Sequence, residues 1–134
     1  MKKLVTILLI TLLTSCVTAL EPPKSNTDYR NIIGKPIKIG NLEIAQYDFP
    51  NMMNWNETKK ACETLGVGWR LPTKDELDFL YLSKDKIGGF EDNYYWGRTE
   101  NGNLYVVWYQ NVGNGPLYKY DKIYAGYVRA VRSL

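Results

Sequence analysis

Gly68-Trp69-Arg70-Leu71-Pro72-Thr73-Lys74-Asp75-Glu76-Leu77 passes from extended chain into a capped helix, and its reading decides the fold class. Pro72 restricts its own backbone and disfavours helix at Leu71, so Trp69, Arg70 and Leu71 arrive extended. Thr73 with Glu76 three residues later is a capping box: hydroxyl and carboxylate satisfy two amides that a helix start leaves free. Asp75 and Glu76 also sit in the first turn, where the positive end of the helix favours carboxylates. Leu77, Leu80 and Tyr81 then form the inward stripe of a short amphipathic helix of about three turns. The segment is architectural and carries little that catalysis needs.

Working outward, Ile37, Ile39, Leu42, Ile44 and Tyr47 alternate around Gly40-Asn41, which reads as a tight hairpin. Asn54 and Glu57 form a second capping pair, Trp55, Ala61, Cys62 and Leu65 share one helical face, and Gly66 is placed as a left-handed stop. A loop over 83–93, containing Gly88-Gly89, closes the helical half. The rest reads as strands over 94–98, 104–110, 117–124 and 127–132. Asn101-Gly102 forms the first turn between them, 111–116 a glycine-rich second and Ala125-Gly126 a third. The expected class is α+β: two short helices packed on antiparallel sheet, with the N- and C-terminal strands adjacent.

The first residues belong to a different object. Lys2 and Lys3 precede an apolar run from Leu4 to Leu13, too short to span a bilayer and shaped like a secretory signal. Leu13-Thr14-Ser15-Cys16 matches the bacterial lipoprotein box, which makes Cys16 the lipidated N-terminus of the mature chain. Val17-Thr18-Ala19 offers the competing cleavage, after Ala19, by an ordinary signal peptidase. The expected organisation is a lipoprotein signal over 1–15, a lipidated tether over 16–35 and a domain over 36–134. Several acyl chains would give stable anchoring, and Val17 after the cysteine points to the outer membrane of a Gram-negative cell. The polar tether spans about 25 Å as a flexible chain, unless Tyr29, Ile32 and Ile33 pack on the domain edge.

With Cys16 acylated, Cys62 is the one remaining cysteine, expected as a buried, inert thiol. The precursor carries a net charge of +3, and without Lys2 and Lys3 its 15 basic groups face 14 acidic ones. That balance gives no reason to expect a nucleic acid partner.

Four motifs in order carry a family resemblance: Trp55 with Ala61-Cys62, then Gly68 to Thr73 with Glu76-Leu77, then Tyr95-Trp96-Gly97-Arg98-Thr99-Glu100, and last Tyr127-Val128-Arg129-Ala130-Val131-Arg132. Together they resemble the Lcl C-terminal-type domain, a domain of unknown function, and are similar to the Fibrobacter major paralogous domain. The resemblance implies a C-type-lectin-like fold. Gly97 and Arg98 stand where relatives commonly carry two serines. The E-P-N or Q-P-D loop and W-N-D motif of calcium-dependent lectins do not occur, so the resemblance brings no calcium-mediated sugar binding. Formylglycine-generating enzymes share a segment like Arg70 to Leu77 but work through paired cysteines, so that likeness implies fold without activity.

Catalytic candidates are few. The chain has no histidine, and beyond Cys16 its serines are Ser25, Ser83 and Ser133, none in a nucleophile elbow. Glu91, Asp92 and Asn93, or Glu100 with Asp121, offer oxygen ligands for calcium, but the favoured reading is that they are exposed loop acids. Arg70 and Arg129 are expected to pair internally with carboxylates such as Glu76 or Glu100, whereas Arg98 is open to a carboxylated or sulfated ligand.

The eleven tyrosines and four tryptophans are the stronger pointer. Tyr105, Tyr109, Tyr118, Tyr120 and Tyr124 cluster in the late strands, either as a binding face or as cross-strand pairs. The expectation is a non-enzymatic envelope lipoprotein that needs no catalytic residue, metal or cofactor. It recognises a glycan or an envelope or extracellular protein through Tyr109, Tyr118, Tyr120, Asn111, Asn114 and Arg98, with Asn103 in a neighbouring loop. A structural subunit of an envelope complex is the alternative.

Overall fold

The structure is a computed structural model that describes residues 28–100 and 106–134. The signal segment, Cys16 and the tether as far as residue 27 lie outside the described residues, as do the Asn101-Gly102 turn, Asn103, Leu104 and Tyr105.

Strands β1 (Ile37–Ile39) and β2 (Leu42–Ile44) pair across Gly40-Asn41, with Ile39 opposite Leu42. The turn needs Gly40 at φ 59°, a left-handed conformation that costs glycine least. Helix α1 (Trp55–Glu63) starts on the expected box: Asn54 Oδ1 accepts from Glu57 N at 3.0 Å, and Glu57 Oε2 from Asn54 N at 3.0 Å. Helix α2 (Lys74–Leu82) repeats it, with Thr73 Oγ1 accepting from Glu76 N at 3.2 Å and Glu76 Oε2 from Thr73 N at 2.7 Å. Each such cap stabilises its helix by about 1 kcal/mol. Helix α1 ends ahead of Gly66, at Thr64, whose hydroxyl and amide both return to Ala61 O. Gly66 turns the chain only afterwards, at φ 120°. Within the expected loop over 83–93 the chain makes one further turn of helix, α3 (Lys84–Ile87), which buries Ile87.

The second sheet contains β3 (Tyr94–Glu100), β4 (Val106–Asn111) and β5 (Leu117–Asp121), in that order and antiparallel. The first sheet is completed by β6 (Val131–Ser133), which pairs antiparallel with β2, Ile44 opposite Val131. Both ends of the domain thus meet in one sheet, as expected. The last strand is shorter than the sequence suggests because residues 126–130 run between the sheets. Tyr127 N donates to Tyr94 O at 2.9 Å, Phe49 N to Val128 O at 3.1 Å and Ala45 N to Ala130 O at 3.0 Å. Arg70 then exchanges two 2.9 Å bonds with Val131, so the extended stretch before Pro72 is tied to β6.

Three apolar clusters hold these layers. The largest joins α1 to one face of the second sheet through Trp55, Cys62, Trp69, Trp96, Val107 and Tyr109. Leu80 and Ile87 cover Leu42, Ile44 and Val131 of the first sheet, while Leu77 sits with Tyr95 and Val112 on the opposite face of the second. Helix α2 therefore joins the two sheets. Tyr29, Ile32 and Ile33 do pack on the domain edge: Ile32 is buried, Tyr47 N donates to Ile32 O at 3.0 Å, and Tyr29 meets Phe49 edge-on at 5.0 Å.

Candidate functional site

Side chains alternate along β4 as the pleat requires. Val107 and Tyr109 face the main cluster, whereas Trp108 turns to the side of α2, where Lys74 Nζ lies 4.2 Å from its ring. Both faces of the sheet centre are covered, but the cover stops at β5. Tyr118 and Tyr120 are 49 and 37 % exposed, against 6 % for Tyr109.

The strand register builds a ladder of rings. Tyr118 stands opposite Tyr109, and Tyr109 opposite Trp96. The stacked neighbours are diagonal: Tyr94 on Tyr109 at 4.3 Å with planes 5° apart, and Tyr109 on Tyr120 at 4.8 Å and 7°. Tyr124 continues the row from Tyr120 at 4.9 Å. Offset pairs of this kind contribute about 0.5–1.5 kcal/mol beyond area burial and leave little rotamer freedom to lose on binding. Between Tyr94, Tyr109, Tyr118, Lys119 and Tyr120 lies a groove of 290 Å³. Burial, and then neighbouring Tyr120 and Tyr94, push the Tyr109 hydroxyl up to about 12, so it stays neutral and can both donate and accept.

The expected residues do not form one constellation. Tyr109, Tyr118 and Tyr120 come together, with Tyr109 as the buried middle rung. Tyr94 completes the groove without having been singled out in the sequence, because a diagonal partner is visible only once the register is known. Asn111 ends β4, its Oδ1 accepting from Gly113 N at 2.9 Å and Asn114 N at 3.1 Å in the turn that follows, while the Asn114 side chain is exposed. Arg98 lies elsewhere, on the rim of a cavity beside α1.

The other motif residues are internal. Arg70 forks onto Glu76 at 2.7 and 2.9 Å, as expected. Arg129 is fully buried and pairs with Asp48, at 2.6 Å, rather than with Glu76 or Glu100, because residues 126–130 run alongside the chain after β2. Arg132 pairs with Glu43 at 2.8 Å and lies 4.8 Å from the Trp69 ring. Cys62 is buried, and desolvation, with Glu63 nearby, pushes its thiol up to about 12. Of the loop acids, Asp121 Oδ1 caps its own turn by accepting from Ile123 N at 3.0 Å, while Glu91 and Asp92 are exposed. Among the described residues no three cysteine or acidic side chains come together as metal ligands.

Gly97 sits where the packing leaves no room for a side chain. A Cβ at this position would stand 2.8 Å from Leu77 Cδ1 and 3.2 Å from Trp108 O. Leu77 therefore occupies the space that a serine would need.

No family model and no curated protein matches the chain. Among solved structures it is similar to the crystal structure of botrocetin, with a TM-score of 0.55 and 12% sequence identity. The match covers 75% of this chain and 98% of that one. At such identity the likeness speaks for architecture, and with two antiparallel sheets and two main helices the chain has a C-type-lectin-like fold.

Proposed function

We propose that this protein is a non-enzymatic binding module held at a bacterial cell envelope by acylated Cys16, and that it recognises a glycan through the tyrosine face of its second sheet without calcium. One observation carries the reading: Tyr120 lies open on a ring stacked back to the core and Tyr118 lies open against Tyr94, beside a groove that presents flat aromatic surface and hydroxyls together. Sugars bind such surfaces by stacking and by hydrogen bonds to neutral hydroxyls, and rigid rings lose little entropy in doing so. The order of its four motifs, now joined to a C-type-lectin-like fold, supports membership of the Lcl C-terminal-type domains. The absence of histidine and the suppressed Cys62 thiolate support a role without catalysis.

A glycan array probed with the protein and with Tyr118→Ala and Tyr120→Ala tests the binding claim. Loss of a truncated contact ring is expected to cost about 2 kcal/mol, roughly 30-fold in affinity. Fatty-acid labelling tests the anchor. Cys16→Ser is expected to abolish incorporation and release the protein from the outer-membrane fraction; unchanged labelling would leave the cleavage after Ala19.

A second reading is favoured by the continuation of the ladder into Tyr124 and Ile123, which are 51 and 75 % exposed. An apolar extension of this kind suits a permanent protein interface in an envelope complex. Stoichiometric co-purification of one envelope protein, lost in Ile123→Glu and accompanied by no glycan signal, would favour it over sugar recognition.

A further inference from the structure

Arg30, Arg70, Arg129 and Arg132 each meet a carboxylate, whereas among the described residues Arg98 meets none. Its position is nonetheless tightly built. Between the pairs Trp96–Tyr109 and Glu100–Val107 the register slips, so that Gly97, Arg98 and Thr99 stand against Trp108 alone. Bulges of this kind re-aim side chains and recur beside functional sites. This one is clamped on three sides: Trp55 Nε1 donates to Gly97 O at 2.9 Å, Arg98 N to Pro72 O at 2.7 Å, and Lys74 N to Thr99 Oγ1 at 2.9 Å. The backbone of Arg98 is held while its exposed side chain stands at the rim of a 390 Å³ cavity between α1 and the extended stretch before Pro72.

The floor of the cavity is apolar, made by Trp55, Cys62, Trp69 and Leu71. Its indoles offer no free face. Lys59 and Lys122 lie 4.6 and 4.1 Å from the Trp55 ring, and Arg132 covers Trp69 at 4.8 Å. A sugar ring therefore has nothing flat to stack on here, unlike at the tyrosine ladder. On the rim, Arg70 is already committed to Glu76, and Glu63 sets a negative charge on the same cavity. What is left is one guanidinium fork above a small apolar hollow, near the lower end of the volumes that hold ligands, about 300–1,000 Å³, with Lys59 and Glu63 as opposite charges that offset each other on the same wall. A fork matches a planar carboxylate through two parallel hydrogen bonds, and a single fork leaves a second negative charge on the ligand unbalanced.

We propose that this cavity is a second binding site, separate from the tyrosine groove, for the C-terminal carboxylate of a peptide ending in an aliphatic residue. Arg98 takes the carboxylate in its fork, the aliphatic side chain covers Leu71 and the edge of Cys62, and the single fork restricts the site to monoanions.

The test follows the backbone amide resonances of Cys62, Leu71, Gly97 and Thr99, which persist in every variant, together with the Arg98 Nε–H where arginine is present, as four probes are added: acetyl-leucine, acetyl-leucinamide, glucuronate and sodium sulfate. Acetyl-leucine is expected to shift Arg98 saturably, and the amide to bind at least about tenfold more weakly, as loss of charge-assisted hydrogen bonds implies. Arg98→Ala should abolish the response with an unchanged thermal melt, since among the described residues its side chain meets no carboxylate. Arg98→Lys should keep a weakened response, Glu63→Gln should strengthen it, and Tyr118→Ala should leave it intact. Equal binding of acid and amide, tighter binding of glucuronate or sulfate, or persistence in Arg98→Ala would each overturn the assignment. Because the tyrosine variants report on the other groove, failure here leaves the glycan reading standing.

Discussion

Arg129 Nε donates to Asp48 Oδ1 at 2.6 Å across 81 residues of chain, and the rest of its guanidinium is satisfied by the carbonyls of Gly88 at 3.2 Å and Gly89 at 2.8 Å. Phe90 lies 4.2 Å beneath it, and Tyr95 donates its hydroxyl to the second Asp48 oxygen at 2.6 Å. One fully buried charge thus ties together the chain after β2, the chain after α3, β3 and the stretch that enters β6. Removing one partner leaves the other charge buried without compensation. Asp48→Ala is expected to lower stability by about 3–5 kcal/mol at neutral pH. Urea unfolding measures it, and a loss below about 1 kcal/mol would contradict the role given to the pair.

Acid acts on two carboxyls in opposite directions. Burial raises Asp48 above its ordinary 3.8 despite Arg129 and Tyr95, so its contribution is greatest below that value and declines as pH rises through the raised one. Burial would raise Glu76 too, but the Arg70 fork and the Thr73 amide outweigh it and hold Glu76 below its ordinary 4.5. Its contribution is complete above 4.5 and is lost as pH falls through the lowered value. Glu76→Gln is therefore expected to flatten the decline of melting temperature on the acid side. A profile between pH 7 and 3 as steep as the wild type would argue against it.

The ladder separates folding from recognition. Tyr109→Ala opens a cavity at the middle rung and is expected to cost about 3 kcal/mol, in line with other buried aromatic truncations. Tyr118→Ala removes exposed surface and is expected to stay within about 0.5 kcal/mol of wild type. Paired denaturation and binding curves check this: if Tyr118→Ala unfolds the protein, its loss of ligand means nothing about the groove.

The Cys62 thiol should be silent in the native state. With its ionisation pushed up to about 12 by burial, a disulfide reagent at pH 8 is expected to label it only after unfolding. Stopped labelling in native buffer, compared with labelling in urea, reads the difference. Rapid native reaction would reopen thiol chemistry for this protein.

Gly97→Ser should destabilise this chain by about 1–3 kcal/mol through overpacking against Leu77. In a Leu77→Ala background the same substitution should cost much less, because the contact that opposes it is gone. Equal costs in both backgrounds would place the strain elsewhere.

Both capping boxes, the Gly40-Asn41 hairpin and the buried stripe of α1 were legible because each depends on residues within a few positions of one another. The termini meeting in one sheet followed from the α+β order of elements. The partner of Arg129 was not legible, since nothing near it in sequence names Asp48. The end of β5 was also hidden: apolar and aromatic residues continue to Tyr124, and periodicity does not reveal that strand pairing stops at Asp121.

The candidate site shows the same division. Tyrosine-rich strands pointed to the second sheet, yet membership of its groove depended on register, which recruited Tyr94, buried Tyr109 and sent Arg98 to a different cavity. The local elements, the burial of Cys62 and the aromatic character of the late strands were readable from the residues alone, because caps, turns and periodicity are short-range effects. Only tertiary structure decided which rings stack, which arginine is left open and which sheet edge is uncovered. Those outcomes depend on how distant strands align and on where the apolar layers run out of surface to cover.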